Sequence, residues 1–192
     1  MRIAVLGTGS VGQAIAARTA ELGHQVTIGT RDVAALRTGA QAAWVAQHPE
    51  VDLATLADAA SAAELVVNAT NGNGSLPALT AAGAPNLAGK VLLDIANREF
   101  PQAKVVKSLN TMTAELMVHP RQLADGAHSV FVSGDDAEAK RIVTGLLISF
   151  GHTDVIDLGD LSTARGTEML LPLWLRLYGR LDTAIFNIKV VR

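Results

Sequence analysis

The chain has 192 residues, of which 49% are apolar and 4% aromatic, and its formal net charge is −2. This composition predicts one well-buried domain with room for a small appendage, and it argues against disorder. The small charge offers no field that would hold nucleic acid or an anionic membrane, and the absence of cysteine excludes disulfides, thiolate metal sites and cysteine nucleophiles.

The N-terminus indicates a cytoplasmic protein. Met1 leads straight into the strand-like sequence RIAVLG, with no basic region, apolar core or cleavage site before it. The most apolar stretch, MLLPLWLRLYGRL at 169–181, is shorter than the roughly 20 residues that span a bilayer and contains Arg176 and Arg180. We therefore expect it to form a buried or interface helix, and we expect no membrane partner.

Strands and helices alternate along the chain. Apolar or alternating runs predict strands at residues 2–7, 25–28, 65–70, 90–97, 105–112, 129–133 and 154–159. Between them, capping residues and apolar periodicity predict helices after Gly12, Asp32, Thr113 and Asp135 or Asp136, at 75–83, and at 163–181 with a bend at Pro172. The tail AIFNIKVVR either adds a final strand or lies across a partner. This order predicts an α/β fold with a Rossmann-type, doubly wound, mainly parallel sheet.

One connection does not fit this pattern. Between Asn97, which ends one predicted strand, and Lys104, which precedes the next, there are only about six residues. A parallel pair of strands needs a crossover of about a dozen residues. Either the two strands are not parallel neighbours, or a natural segment between Asn97 and Arg98 is missing from this sequence. We favour the missing segment.

A glycine motif, GTGSVG at residues 7–12, follows the first strand and opens the first helix. In this context Gly7 permits a tight turn, Gly9 lets the backbone approach a pyrophosphate, and Gly12 allows close packing of helix and strand. The alternative is a capping box formed by Ser10 and Gln13. The context favours dinucleotide binding.

The second strand ends in Thr30 and Arg31, where NAD-binding proteins carry an acid for the ribose hydroxyls. Asp32 already lies in the turn and is better explained as a helix cap. A 2′-phosphate would meet a hydroxyl donor and a guanidinium at Thr30 and Arg31, and these would favour it. The sequence therefore predicts NADP rather than NAD, against the alternative that Arg31 is an ordinary surface residue.

No residues stand out as a catalytic acid, base or nucleophile, and none of the five histidines has metal-ligand spacing. Hydride transfer between two bound cofactors needs proximity and a water-poor slot more than a protein acid. Such a slot should lie at the carboxyl ends of the strands, and the alternative is that the residues there are ordinary loop residues. The candidates for ligand contact are the residues that end three predicted strands: Asn68, Ala69, Thr70, Ala96, Asn97, Asn110, Thr111 and Met112.

Several of these segments together resemble the NADPH-dependent F-420 reductases, also called F-420-dependent NADP oxidoreductases. The resemblance runs nearly end to end, and its most specific parts are GTRD, SLNTM and GTEMLLPLWLRL. It implies an NADP-binding Rossmann domain at 1–160 and a C-terminal helix and tail at 161–192 that supply the substrate slot and a homodimer contact, together one compact unit. Family members usually have a longer segment after the strand KVLLDIAN.

The resemblance also implies site residues. NADP would contact Thr8, Gly9, Ser10 and Val11, with Thr30 and Arg31 on the 2′-phosphate. The deazaflavin coenzyme F-420 would stack on the nicotinamide near Asn110, Thr111, Met112 and the C-terminal helix, at Leu171, Pro172 and Trp174. A hydride would pass between nicotinamide C4 and deazaflavin C5.

Two other functions stay open. The first is an NADPH-dependent reductase of another small-molecule acceptor: a flavin, a ferric chelate, or a carbonyl or imine compound. The second is a non-catalytic NADP-binding sensor, which would keep the glycine motif and Arg31 but lack an open slot beside the nicotinamide.

Overall fold

A computed structural model describes residues 1–95 and 102–192. The chain divides into two compact units, Met1–Lys104 and Val105–Arg192. The division predicted at residue 160 concerns the substrate slot and the dimer contact, and it stays a prediction.

The first unit alternates strands and helices. Its strands are β1 (Arg2–Leu6), β2 (Gln25–Thr30), β3 (Val51–Thr55), β4 (Leu65–Asn68) and β5 (Val91–Asp94). Its helices are α1 (Ser10–Glu21), α2 (Val33–Thr38), α3 (Ala42–Gln47), α4 (Leu56–Ala62), α5 (Gly72–Ala82) and α6 (Ala84–Leu87).

All described strand pairs of the first unit are parallel, in the order β3-β2-β1-β4-β5. The chain moves outward from β1 to β3 and then returns to the other side of β1 with β4. The strand order therefore reverses between β1 and β4, which is where open α/β sheets bind ligands. Residues 3–6 of β1 are at most 1% exposed, as expected for a parallel strand covered on both faces.

The second unit has its own strands and helices. They are β6 (Lys104–Ser108), β7 (Ser129–Gly134), β8 (Asp154–Asp157), α7 (Ala114–Val118), α8 (Ala137–Phe150), α9 (Ala164–Glu168) and α10 (Leu171–Leu181). Strand β7 pairs antiparallel with β6 and parallel with β8. The prediction of a mainly parallel, Rossmann-type α/β fold with a C-terminal helical addition is confirmed.

Helix α8 shows how the sequence sets the ends of an element. The Asp136 carboxylate accepts a hydrogen bond from the Ala139 N–H at 2.8 Å, so Asp136 rather than Asp135 is the N-cap. The helix ends at Gly151, whose φ of 110° suits glycine. Between these ends, Val143, Leu147 and Phe150 are buried.

The C-terminal part differs from the predicted single bent helix. Pro172 lies in the first turn of α10, where its missing N–H costs no helical hydrogen bond, so the chain forms two helices instead. Residues 183–192, all of which are described, contain no strand. The tail instead bonds to the start of β7, where the Ser129 N–H donates to the Ile188 carbonyl at 2.9 Å. In the described ranges, no helix is long and apolar enough to cross a membrane.

Candidate functional site

The glycine motif begins where β1 ends. Gly7 has a φ of 123°, and a Cβ there would lie 2.8 Å from the Ala69 carbonyl oxygen. A Cβ at Gly12 would lie 2.2 Å from the carbonyl oxygen of Gly7. Both positions therefore need glycine for the fold itself, because a side chain would collide with backbone atoms.

Gly9 is different, because neither its backbone conformation nor a steric clash requires glycine at this position. Its φ of −77° is open to any residue, and beyond its chain neighbours no heavy atom of the described residues lies within 4 Å of a Cβ there. The space beside Gly9 is thus open, and the fold does not require glycine there. Between a strand and the helix that follows it, a glycine of this kind lets a dinucleotide approach the backbone closely.

The start of α1 lies beside this open space and has no side-chain cap among the described residues. Gly9 is the N-cap residue, and no described side chain caps the helix. The first N–H groups of a helix have no intrahelical partner and attract anions. The capping box considered from the sequence does not form, since the Gln13 side chain donates to the Thr8 carbonyl at 3.0 Å and so braces the loop.

The end of β2 presents one cation. Asp32 accepts a hydrogen bond from the Ala35 N–H at 2.9 Å and is the N-cap of α2, as predicted. The Thr30 hydroxyl accepts from the Asp32 N–H at 3.3 Å. Arg31 is exposed, and within the described part of the chain it forms no salt bridge. Its guanidinium is therefore available to an anionic ligand.

On the other side of β1, a buried polar network follows β4. Asn68 pairs in register with Leu6 of β1 and with Asp94 of β5. The Asn68 amide donates to Asp94 at 2.9 Å and to the Ser75 hydroxyl at 2.6 Å, and its oxygen accepts from the Thr70 hydroxyl at 2.6 Å. The Ala69 N–H donates to the Leu6 carbonyl at 2.9 Å, which ties this turn to β1.

This network contains two residues that sequence reasoning missed, Ser75 and Asp94. Both are at most 2% exposed. The signal for Asp94 was an acid at the end of the otherwise apolar run VLLD, where a charged group is rarely buried without partners. The pairing of Ser75 with Asn68 follows from the turn between β4 and α5, which no local pattern specified.

Residues 2–98 match the family described as NADP oxidoreductase, coenzyme F-420-dependent. The chain belongs to this family. The prediction made from the motifs is thereby confirmed, and the protein is an oxidoreductase by family.

Three proteins illustrate what the chain is similar to. A candidate F-420-dependent NADP reductase from Arthrobacter sp. FB24 is 56% identical, is covered over 100% of both chains and has a TM-score of 0.96. The metalloreductase STEAP3 of Rattus norvegicus is 30% identical over 90% of this chain, but the chain spans only 38% of that relative. An imine reductase from Myxococcus stipitatus in complex with NADP+ is 16% identical, with a TM-score of 0.68 over 94% of this chain and 64% of that one, which shows the fold alone.

The remaining predicted residues of the oxidoreductase fall in two places. Ala96 and Asn97 lie outside the described residues, as does the junction with Arg98, so these predictions and the idea of a missing segment stay untested. Asn110, Thr111 and Met112 form the turn after β6. Thr111 and Met112 are each 6% exposed, and Leu109 before them is buried with a φ of 66°, unusual for leucine.

The predicted residues of α10 are arranged differently. Leu171 and Pro172 are exposed, and Trp174 is half-buried. The Trp174 ring stacks with Tyr178 at 5.6 Å and with Phe186 of the tail at 5.2 Å between ring centroids. Its Nε1 is buried, with no hydrogen-bond partner among the residues that the structure describes. A substrate role for these residues stays a prediction.

Other titratable groups of the oxidoreductase are explained by the fold. Lys107 is 5% exposed and lies 3.4 Å from the Glu168 carboxylate, which ties β6 to α9. Burial lowers the pKa of His152 from 6.5 to about 4, and its Nε2 bonds to the Met117 carbonyl at 3.0 Å. Across residues 1–95 and 102–192, no group of three or more His, Asp and Glu residues is placed to hold a metal ion.

Proposed function

We propose that the oxidoreductase binds NADP(H) at the glycine motif and transfers a hydride between NADP(H) and the deazaflavin coenzyme F-420. The observation that carries this proposal is the uncapped start of α1 at Gly9, where the space beside the backbone is open and the fold does not require glycine. The family match supports the choice of NADP and F-420 over other ligands.

The residues of the first unit fit NADP in chemical terms. The uncapped start of α1 would hold the pyrophosphate through its N–H groups. Thr30 and Arg31 would hold the 2′-phosphate, and a charge-assisted bond of this kind contributes about 1.5–3 kcal/mol, roughly ten- to a hundredfold in affinity. When bound, NADP(H) supplies or accepts the hydride, and the chain positions it and excludes water.

The test is a direct assay. Purified protein is mixed with NADPH and oxidised F-420, and the visible absorbance of the deazaflavin is followed. Loss of the band at a rate proportional to protein concentration is the expected result. No loss, with NADPH binding intact, would contradict F-420 as the acceptor and leave the NADP part of the proposal standing.

A second acceptor is supported by the 30% identity to the rat metalloreductase, a relative named for the reduction of a metal. A ferric chelate is therefore assayed in parallel, with FMN as a flavin acceptor. Reduction of the ferric chelate but not of F-420 would favour this second function. Binding of NADPH with no acceptor reduced would favour an NADP sensor.

We also propose that the oxidoreductase forms a homodimer through α10. Four of its apolar side chains, Leu171, Leu175, Tyr178 and Leu181, are each between 48% and 55% exposed. Exposed apolar side chains three and four residues apart on one helix are typical of a protein contact. Light scattering at micromolar concentration should give twice the 20.0 kDa chain mass. A monomeric mass would contradict the proposal.

Leu175→Arg should dissociate this dimer, because it places a charge in the apolar surface. The matched control is Ile148→Arg on α8, where the side chain is similarly exposed at 58%. Equal effects of the two substitutions would argue against α10 as the contact.

A further inference from the structure

The buried network after β4 fixes the direction of every hydrogen bond in it. The Thr70 backbone N–H can only donate, and it faces one end of the Asn68 side chain at 3.4 Å. At the other end Asp94, a carboxylate with acceptor oxygens, lies 2.9 Å away. The amide oxygen of Asn68 must therefore point to Thr70 and the amide nitrogen to Asp94.

All four hydrogen-bonding positions of Asn68 are occupied. Its two N–H groups go to Asp94 and Ser75, and its oxygen receives both the hydroxyl and the N–H of Thr70. Asn68, Ser75 and Asp94 are each at most 2% exposed, so water does not compete for these bonds. A fully satisfied buried network of this kind holds one arrangement.

The consequence appears at Thr70, which is half-buried beside the glycine motif. Its hydroxyl proton is committed to Asn68 at 2.6 Å, so its oxygen can offer only lone pairs to anything bound there. A phosphate also has only acceptors and would not be favoured at this atom. A ligand group that donates a hydrogen bond would be favoured at the Thr70 hydroxyl oxygen.

The geometry points to Thr70 as a specificity-determining residue that accepts a hydrogen bond from the nicotinamide half of the dinucleotide, with Asn68 and Asp94 as its positioning residues. This inference rests on the proposed binding of NADP. The strand order assigns the halves, because the adenosine side is at β2 with Arg31 and Thr70 lies across the reversal point on the β4 side. Two donors have the required chemistry, a ribose hydroxyl and the carboxamide NH2.

The test compares ligands on purified full-length protein. NADPH contains both halves, and adenosine 2′,5′-bisphosphate contains only the adenosine half. Thr70→Val should weaken NADPH binding about fivefold, since it removes one hydrogen bond, and should leave binding of the bisphosphate within about twofold. Thr70→Ser should restore NADPH binding, and Thr80→Val on the exposed part of α5 is the matched control.

The positioning role is tested by a double-mutant cycle. Asn68→Ala should weaken NADPH binding, and adding it to Thr70→Val should give no further loss, because both remove the same bond. The analogue with a 3-acetylpyridine ring lacks the carboxamide NH2. If the Thr70→Val effect persists with this analogue the donor is the ribose hydroxyl, and if it disappears the donor is the carboxamide.

The outcomes distinguish a failure of the Thr70 inference from a failure of the proposed NADP binding. NADPH binding to Thr70→Val within twofold of the unmodified protein would overturn the inference, and so would an equal loss for adenosine 2′,5′-bisphosphate. If the unmodified protein binds neither ligand, NADP binding itself is wrong and the inference falls with it. Should Asn68→Ala fail to fold, the Thr70 variants still decide the matter.

Discussion

The two units present different kinds of surface at their candidate sites. Beside Gly9 in the first unit the surface is backbone, at an uncapped helix start with an empty space where a side chain would be. On α10 in the second unit it consists of half-exposed leucine and tyrosine side chains. Backbone N–H groups suit a phosphate, whereas exposed leucines suit an apolar partner. We therefore expect the first unit to bind the nucleotide of the proposed function and α10 to contact an apolar partner.

The largest expected effect separates fold from binding within the glycine motif. Gly12→Ala places a Cβ 2.2 Å from the Gly7 carbonyl oxygen, so we expect loss of NADPH binding and a destabilisation of about 3 kcal/mol or more. Gly9→Ala should weaken NADPH binding at least about tenfold and leave the melting temperature nearly unchanged. Fluorescence titration and thermal unfolding of both variants measure this. A large drop in melting temperature for Gly9→Ala would show that the fold, not a ligand, needs this glycine.

The next effect is a pH dependence that arises from His152 in the second unit. Burial lowers the pKa of His152 to about 4 from 6.5 in the unfolded chain. Because the unfolded state takes up the proton first, stability is complete above pH 6.5 and is lost as the pH falls toward 4, by up to about 3 kcal/mol. Urea unfolding at pH 7 and pH 4.5 checks this, with His152→Gln expected to flatten the difference. If the free energy of unfolding of this variant falls between pH 7 and pH 4.5 as much as that of the unmodified protein, other groups cause the acid sensitivity.

Arg31 gives the sharpest test of the nucleotide side. Arg31→Ala should weaken NADPH binding at least about tenfold and barely change NADH, because only NADPH carries the 2′-phosphate. The control is Arg37→Ala, an exposed arginine near the end of α2, the helix that follows Arg31. Equal losses for NADPH and NADH would mean that Arg31 does not contact the phosphate.

The difference between the units also explains how far the sequence could be interpreted. In the first unit several predicted features are local: Asp32 caps the helix that starts beside it, and Gly12 is needed because the backbone of Gly7 lies close to it. Such features leave a pattern in consecutive residues. The network of Asn68 with Asp94 joins residues 26 positions apart, so it leaves no pattern in consecutive residues.

In the second unit the same limit appears at the C-terminus. Pro172 was expected to bend one helix, but a proline is equally suited to the first turn of a new helix, and only the end of α9 decides between them. The tail has strand-like composition, yet its backbone makes too few ladder bonds to form a strand. Side-chain contacts and the backbone bond from Ser129 to Ile188 hold it instead, and these join distant residues that composition does not predict.

The smallest expected effect concerns those tail contacts. Lys189 Nζ lies 2.8 Å from the Asp154 carboxylate, and the Arg192 guanidinium lies 3.0 Å from it. Hydrogen bonds from Lys189, then from Ser129 and Arg192, lower the pKa of Asp154 to about 2. These contacts therefore contribute above pH 3.8, the ordinary pKa of the group, and are lost as the pH falls toward 2.

Lys189→Ala should cost less than about 1 kcal/mol at pH 7, because the lysine is half-exposed and Arg192 and Ser129 still contact the carboxylate. Asp154→Asn should cost more, since it weakens all three contacts at once. Urea unfolding ranks the two variants, and hydrogen exchange at the Ser129 N–H, which bonds to Ile188, reports directly on the tail. If Asp154→Asn leaves that exchange rate unchanged, the backbone bond rather than the charged cluster fixes the tail to β7. The second unit would then hold its C-terminal tail mainly by the backbone hydrogen bond from Ser129 to Ile188.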